Sequence, residues 1–268
     1  MKILLTADIH CNRFWYEWLI AKAPELDLIA IAGDLVEGFA AGVLTDQKAA
    51  IEHWLGRIAD SGCAVAGSSG NHEMFSKISP RVVGEKKLTF GRILDSLRPS
   101  PSRAPCHPLF LEDGGTGIVK SAAGNLLVST IPYRKFGDPT ETPACSPMWG
   151  EARTLKRQTG FPWLVLHHDP PGGGPVGGMA GDFSLRRTIE KFQPDFVLSG
   201  HLHGQPFFEG GGFHERIGTA HCFNAGQTPP TKSRVPNHII LDTDTRLATW
   251  FYFDLAAGLF KREIRFLL

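Results

Sequence analysis

Residues that can bind metal ions or move protons occur in five short clusters. The clusters are Asp8-Ile9-His10, Gly33-Asp34-Leu35-Val36-Glu37, Gly70-Asn71-His72-Glu73, His167-His168-Asp169-Pro170-Pro171 and Gly200-His201-Leu202-His203. Imidazole, carboxylate and carboxamide groups suit Mn, Fe, Zn or Ni better than Ca. So many polar groups would destabilise a protein core if they stayed unpaired. Together they predict a metal centre, although the metal identities stay open.

Taken one at a time, the clusters also have structural explanations. Asp8 and His10 could be turn residues, and Asn71 could occupy a left-handed loop position. The spacing of His201 and His203 is more specific, because alternate residues of an extended segment point to the same side. The conjunction of five clusters therefore carries the metal prediction.

The elements that must position these clusters can be predicted from apolar runs. Runs at 3–7, 28–32, 64–67, 126–131, 163–166 and 196–198 have the length and composition of buried strands. Helical spacing occurs near 15–20 and 50–58, and a helix over 185–192 follows Asp182 as its N-cap. Alternation of strands and helices predicts a largely parallel sheet. Ligands gather at the carboxyl ends of such strands, where the clusters stand.

The remaining segments are less regular. Runs at 239–241 and 249–253, in a part rich in Gly, Thr and aromatic residues, favour antiparallel strands and allow a second sheet. The segments 76–108 and 134–160 lack a clear pattern and are interpreted as functional or mobile loops. Neither marks a domain boundary, so we predict one domain over residues 1–268.

Composition excludes several classes of protein. The 268 residues carry 28 Lys and Arg against 27 Asp and Glu, a net charge of +1, which argues against a nucleic-acid partner. The five cysteines form no Cys-x-x-Cys pair, which favours a reducing, cytoplasmic setting. No signal peptide or long apolar run is apparent, so no membrane partner is expected. The oligomeric state is not predicted.

In order along the chain, the motifs Asp-x-His, Gly-Asp-x-x-Glu, Gly-Asn-His-Glu, His-x-Pro-Pro and Gly-His-x-His resemble the signature of the calcineurin-like metallophosphoesterase superfamily. The resemblance implies a four-layer α/β/β/α sandwich with two mixed sheets and a site for two divalent transition-metal ions. It implies the following roles: Asp8, His10 and His203 at the first metal, Asn71, His168 and His201 at the second, Asp34 bridging both, and His72 as a catalytic residue that does not bind metal.

The resemblance also guides the choice between adjacent histidines. His168 fits the His-x-Pro-Pro pattern, whereas His167 stands one residue too early and is expected on the other face of the strand end. For His72, the carboxylates of Glu73 or Asp95 are candidate orienting partners.

The reaction implied by the family is attack of a metal-bridging hydroxide on phosphorus. Relatives that hold a phosphate monoester dianion carry two arginines that this chain replaces by Glu37-Gly38 and Ser69. Their loss favours a small phosphodiester, such as a cyclic nucleotide, because a monoanion needs less compensating charge. A phosphomonoesterase or a nuclease is the alternative. A non-catalytic scaffold, like the retromer subunit of the superfamily, typically loses metal ligands, whereas here all seven positions are filled.

Three residues are candidate substrate contacts. Asn12 follows the first motif and is equally well explained as a turn residue. Tyr133 and Arg134 follow a predicted strand at the same end of the sheet, where they could stack on a base or orient a phosphate. A buried tyrosine beside a surface arginine is the structural alternative.

Overall fold

Two mixed β-sheets with helices on their outer faces form the fold. The computed structural model describes residues 1–37, 44–75, 110–111, 114–133, 147–229 and 231–267. The strands in chain order are β1 (Lys2–Thr6), β2 (Leu28–Ala32), β3 (Ala64–Ser68), β4 (Phe110–Leu111), β5 (Thr116–Ser121), β6 (Gly124–Thr130), β7 (Trp163–Leu166), β8 (Phe196–Ser199), β9 (His214–Ile217), β10 (Ala220–Asn224), β11 (His238–Asp242), β12 (Leu247–Asp254) and β13 (Leu259–Phe266). The helices are α1 (Arg13–Lys22), α2 (Leu44–Asp60), α3 (Asn71–Phe75), α4 (Met148–Thr159) and α5 (Phe183–Phe192).

The first sheet has parallel strands on one side and antiparallel strands on the other, and the second sheet has parallel strands between two antiparallel edge strands. The first sheet has the order β13-β12-β11-β1-β2-β3-β4, and β1 to β4 are parallel. The second has the order β5-β6-β7-β8-β10-β9, and β6, β7, β8 and β10 are parallel. The strands that precede the five clusters therefore all belong to the parallel parts of the two sheets.

Three apolar clusters separate four layers. The first lies between the sheets and includes Leu5 of β1 and Leu166 of β7. The second packs the outer face of the first sheet against α1 and α2, and the third packs the second sheet against α4 and α5. Burial of a large apolar side chain such as Trp15 stabilises the fold by about 1.5–3 kcal/mol. The predicted α/β/β/α sandwich with two mixed sheets is confirmed.

The starts of two helices have a direct physical cause. Asp182 Oδ1 accepts the backbone N–H groups of Ser184 and Leu185 at 2.6 and 3.1 Å, so Asp182 caps α5 as predicted. Asn12 caps α1 in the same way. These caps determine where each helix begins.

The C-terminal strands differ from the sequence prediction. They are antiparallel, as expected, but β11 pairs with β1, so β11, β12 and β13 extend the first sheet instead of building a second one. The second sheet is formed by residues between 116 and 224. Pairing between opposite ends of the chain leaves no local signal in the sequence.

The segment 134–160 is only partly irregular. Its described portion contains α4, which follows Pro147 and ends at Gly160 in the left-handed region, with a φ of 71°. Met148, Trp149 and Ala152 form its buried face. The neighbouring prolines obscured this short apolar pattern. The predicted loop at 76–108 lies outside the described residues.

Two structural observations relate to the expectations of no membrane partner and of a reducing setting. In the described ranges, none of the helices combines the length and the apolar character needed to cross a bilayer. Cys11, Cys63 and Cys222 are free thiols.

A buried histidine predicts a pH dependence of folding. His238 is stacked on Phe251, its Nδ1 lies 2.9 Å from the Pro236 carbonyl oxygen, and burial lowers its pKa to about 4. Between pH 6.5 and 4 the unfolded chain binds a proton that the folded chain excludes. Stability that is present above about pH 6.5 should therefore be lost as the pH falls, by up to roughly 3 kcal/mol. Urea denaturation at several pH values, with chelator present throughout, measures this loss.

His238→Phe keeps the stacked ring and removes the titrating group. We expect a flatter dependence of the free energy of unfolding on pH in this variant. If the free energy of unfolding of the variant depended on pH between 4 and 6.5 as steeply as that of the unmodified protein, His238 would not be the cause.

Candidate metal centre

The five clusters meet at one edge of the sandwich, beyond the carboxyl ends of β1, β2, β3, β7 and β8. Left-handed φ angles are concentrated there in residues other than glycine: Asp8 at 56°, His10 at 48°, Cys11 at 52°, Asp34 at 51° and His201 at 62°. Such angles cost free energy and persist only where the surrounding structure enforces them. They turn side chains away from the strand direction and toward a common point.

One group of metal-competent side chains consists of Asp8, His10 and His203. His203 Nε2 lies 3.1 Å from Asp8 Oδ1 and 3.4 Å from His10 Nε2. Asp8 is fully buried, and its carboxylate also accepts the backbone N–H of His201 at 3.0 Å. This hydrogen bond joins the loop after β1 to the loop after β8.

A second group consists of Asp34, His168 and His201. Asn71 completes it, because its Oδ1 lies 2.9 Å from both His168 Nε2 and His201 Nδ1. Ligands at right angles around one ion, each at about 2.1 Å, lie about 3 Å apart. The donor set and its spacing therefore fit a transition-metal ion.

Asp34 lies between the two groups. Its Oδ2 is 3.2 Å from His168 Nε2 and 4.0 Å from His10 Nε2. Its Oδ1 accepts the backbone N–H of His72 at 2.9 Å. A carboxylate in this position can reach both groups.

Each group also draws residues from both sheets. The residues that follow strands of the first sheet are Asp8, His10, Asp34 and Asn71. Those that follow strands of the second sheet are His168, His201 and His203. The centre therefore lies where the two sheets meet.

Two glycines allow these side chains to approach the backbone. A Cβ on Gly33 would lie 2.3 Å from His168 Nδ1, and its φ of 83° already disfavours other residues. A Cβ on Gly70 would lie 2.2 Å from Asp34 Oδ1. The glycines of the second and third motifs are thus required by close packing against candidate ligands.

The side chain of His168 is held in one orientation. His168 Nδ1 lies 2.7 Å from the Ala32 carbonyl oxygen, and an N–H at Nδ1 would donate to it. Nε2 faces Asp34 and Asn71 and is then the nitrogen that would offer its lone pair to a metal ion. His167 points away, with Nδ1 3.3 Å from the Ile131 carbonyl oxygen, and does not join the cluster.

The buried charges of the site depend on one another. Burial would raise the pKa of Asp34, but His168 and His72 outweigh burial and hold it well below its usual range. Burial opposes a charge on His168, yet the neighbouring Asp34 and Asp8 raise its pKa to about 10. The two carboxylates thus favour a cation between them, which is the condition for binding a metal ion.

Glu37, rather than Glu73, lies beside the candidate catalytic histidine. Glu37 Oε1 is 3.4 Å from His72 Nδ1, and Oε2 is 3.7 Å from His10 Nδ1. Glu37 was visible in the second motif, but no sequence signal paired it with His72.

Glu73 has a different task from the one predicted. Its carboxylate accepts three backbone N–H groups, from Asp34, Val36 and Gly70, at 3.1, 3.0 and 2.6 Å. The prediction that it orients His72 is therefore corrected. Asp95 lies outside the described residues.

Asp169 is a further residue that sequence reasoning did not single out. Its Oδ1 lies 3.7 Å from His201 Nε2, on the side of the ring opposite to Asn71. It directly follows His168, so the same motif supplies both a candidate ligand and a carboxylate that faces another candidate ligand.

The three predicted substrate contacts have different surroundings. Tyr133 is buried beside the centre, with its ring 5.6 Å from that of His168 and 6.1 Å from that of His201. Asn12 uses Oδ1 to accept the N–H groups of Phe14 and Trp15 as a helix cap. Arg134 lies outside the described residues. The roles of all three stay predictions.

Comparison with known proteins agrees with this arrangement. A sequence profile of the calcineurin-like phosphoesterases matches residues 1–205, and this stretch contains all five clusters. The chain belongs to the calcineurin-like phosphoesterase family, as its motifs predicted. The family match supports a phosphoric ester hydrolase, and the chain has His and Asp groups that could hold metal. No curated protein matches the chain at a significant level.

Several solved structures are similar to this chain at low sequence identity. TT1561 of Thermus thermophilus has a TM-score of 0.55 and 15% identity, over 98% of this chain and 97% of that one. Zinc-complexed Vps29 from Entamoeba histolytica has a TM-score of 0.40 and 13% identity, over 99% and 98%. A novel archaeal phosphodiesterase has a TM-score of 0.39 and 12% identity, over 99% of this chain and 100% of that one. The similarity to TT1561 shows that the two proteins share a fold.

Metal content should separate ligands from neighbours. Asp34→Asn removes the negative charge of the carboxylate that lies between the two groups. Elemental analysis should therefore find that most of the metal is lost. His72 also lies near Asp34 and His10, in a third arrangement that could hold an ion. We nevertheless expect His72→Ala to retain nearly normal metal, because each main group keeps its own donors.

The control for this comparison is His53→Ala, an exposed position on α2. It should leave metal content unchanged. If His72→Ala lost as much metal as Asp34→Asn, the assignment of His72 as a residue that does not bind metal would be wrong.

Glu73 should be required for the shape of the site. Glu73→Ala leaves three backbone N–H groups without their acceptor, which should cost about 3 kcal/mol of folding free energy. Asp34 and Gly70 belong to those groups, so metal content should fall as well. Glu73→Gln keeps an acceptor oxygen and should recover much of the loss. Thermal denaturation and elemental analysis check this, and an Ala variant as stable as the unmodified protein would contradict it.

Proposed function

We propose that this chain hydrolyses a small phosphodiester, such as a cyclic nucleotide, with two divalent transition-metal ions. The proposed ligands are Asp8, His10, Asp34, Asn71, His168, His201 and His203. The observation that carries the proposal is the position of Asp34 between two groups of donors, each with the composition and spacing of a metal site.

The chemistry of the proposed ions is general. When bound, a pair of such ions supplies positive charge for a phosphate oxygen and lowers the pKa of a water shared between them. No protein nucleophile is then needed, and the remaining tasks are to hold the substrate and to supply a proton.

His72 is suited to the proton transfer. Its Nδ1 side faces Glu37, while its Nε2 lies 3.8 Å from Asp34 Oδ2 and so faces the centre. We assign Nε2 to hydrogen-bond the developing negative charge or to protonate the leaving oxygen. Glu37 holds the ring in this orientation. The backbone N–H of His72 donates to Asp34, so the same residue also orients the central carboxylate.

The charge around the centre supports a diester. Two divalent ions carry four positive charges, and four carboxylates lie at or beside the donors: Asp8, Asp34, Glu37 and Asp169. The formal charges of the ions and carboxylates therefore cancel, and a hydroxide formed from the shared water would add one negative charge before any substrate binds. A diester monoanion tolerates this balance better than a monoester dianion, which needs more compensating charge.

The residues in place of the missing arginines are neutral or acidic. Ser69 accepts the backbone N–H of Tyr133 at 3.1 Å, which draws Tyr133 toward the centre. Burial, with Asp169 and Asp34 nearby, raises the pKa of Tyr133 to about 12, so its hydroxyl stays protonated. We propose that Tyr133 contributes a neutral donor and an aromatic face to the substrate, with Asn12 and Arg134 as further candidate contacts.

The substrate preference can be measured directly. The purified protein, reconstituted separately with manganese, zinc and iron, is assayed with bis(p-nitrophenyl) phosphate and p-nitrophenyl phosphate. We expect kcat/KM to be at least about tenfold higher for the diester, a difference of ~1.4 kcal/mol in transition-state stabilisation. Asp34→Asn is the inactive control.

Each other outcome selects an alternative. A preference for the monoester would indicate a phosphomonoesterase, and cleavage confined to polynucleotides would indicate a nuclease. Full metal loading without turnover of any ester would point to a scaffold that retains the fold.

A further inference from the structure

A second cavity lies at the opposite end of the sandwich from the metal centre. Its wall on the second sheet includes Phe196 at the start of β8 and His221 in β10. Its wall on the first sheet includes Leu241 and Asp242 at the end of β11, which is antiparallel to β1. The candidate metal ligands follow the carboxyl ends of the parallel strands, so this cavity and the metal centre are separated by the length of the strands.

The cavity has the size and lining of a small-molecule site. Its volume is about 320 Å³, which lies within the usual range for ligand pockets. Apolar surface comes from Pro162, Phe196, Leu241 and Leu267. Polar surface comes from threonine, aspartate, arginine and histidine side chains. An occupant with both an apolar and a polar part would match this lining.

The acidic groups of the cavity are already engaged. Asp195 forms an ion pair with Lys156 at 2.7 Å and accepts the backbone N–H of Trp163 at the same distance. Asp242 accepts the backbone N–H groups of Asp244 and Thr245 at 3.0 and 3.2 Å. The Asp195 carboxylate is therefore paired with a cation, and the Asp242 carboxylate is engaged by backbone N–H groups.

The basic groups are not compensated in this way. Arg216 and Arg246 line the cavity, and within the described part of the chain neither guanidinium forms an ion pair. Arg216 Nε donates to the Gly218 carbonyl oxygen at 3.0 Å, which orients the guanidinium and leaves its two terminal amino groups available. A fork of this kind matches the oxygens of a phosphate, sulfonate or carboxylate.

We propose that this cavity binds a small organic anion, with Arg216 and Arg246 holding its charged group and Pro162 and Phe196 contacting its apolar part. His221 adds a ring to the wall, since its Nδ1 is occupied by His214 Nε2 at 3.0 Å and its ring lies 6.3 Å from that of Phe196. The site is distinct from the metal centre and does not depend on the proposed phosphodiesterase activity.

The test uses naphthalene-1-sulfonate, which combines an apolar ring system with an anionic group that a phosphoesterase does not hydrolyse. Isothermal titration calorimetry of the metal-loaded protein should show one bound probe per chain. In the double variant Arg216→Gln/Arg246→Gln, Kd should rise about tenfold or more. Both side chains are exposed, so the variant should fold normally, and circular dichroism checks this. Turnover of the diester should stay unchanged.

Two controls locate the binding. Arg157→Gln removes an exposed arginine of α4 that does not line the cavity, and it should leave Kd unchanged. Asp34→Asn disables the metal centre and should leave probe binding intact. The proposal is overturned if the probe does not bind, if the double variant binds it as tightly as the unmodified protein, or if Asp34→Asn abolishes binding. Inorganic sulfate as a second probe shows whether the apolar part contributes.

Discussion

The buried carboxylate of Asp34 is the constraint on which the rest of the site depends. It accepts the N–H of His72, faces His168 at 3.2 Å and lies between two groups of candidate metal ligands. A carboxylate in such a position is stable only if positive charge surrounds it. His168 and His72 provide that surrounding in this structure, and they hold the pKa of Asp34 low against the effect of burial.

The loops that carry these residues are shaped by backbone interactions as much as by side chains. Glu73 accepts N–H groups from the loops after β2 and β3 and so joins them beneath Asp34. Asp8 accepts the N–H of His201 and joins the two sheets. Each bond satisfies a buried polar group and also places a candidate ligand, which explains why left-handed backbone angles are concentrated there.

Much of the fold could be predicted where the signal is local. The strands β2 and β7 have the predicted bounds, since each is a continuous apolar run that ends at a polar cluster. The pairing of β11 with β1 could not be predicted, because it joins opposite ends of the chain. Likewise, the motifs identified the residues that converge, whereas the partner of His72 depends on how the loop after β2 turns. That turn brings Glu37 to His72 and leaves Glu73 to the backbone.

Both groups of candidate ligands take residues from each sheet, and this has a consequence for the mechanics of the fold. Ions bound there would cross-link the two sheets at this end of the sandwich. Any sliding of one layer over the other would separate the ligands. The free energy of unfolding should then rise with the free metal concentration, by about 1.4 kcal/mol per bound ion for each tenfold increase above Kd. A low metal supply would thereby also lower the stability of the folded chain.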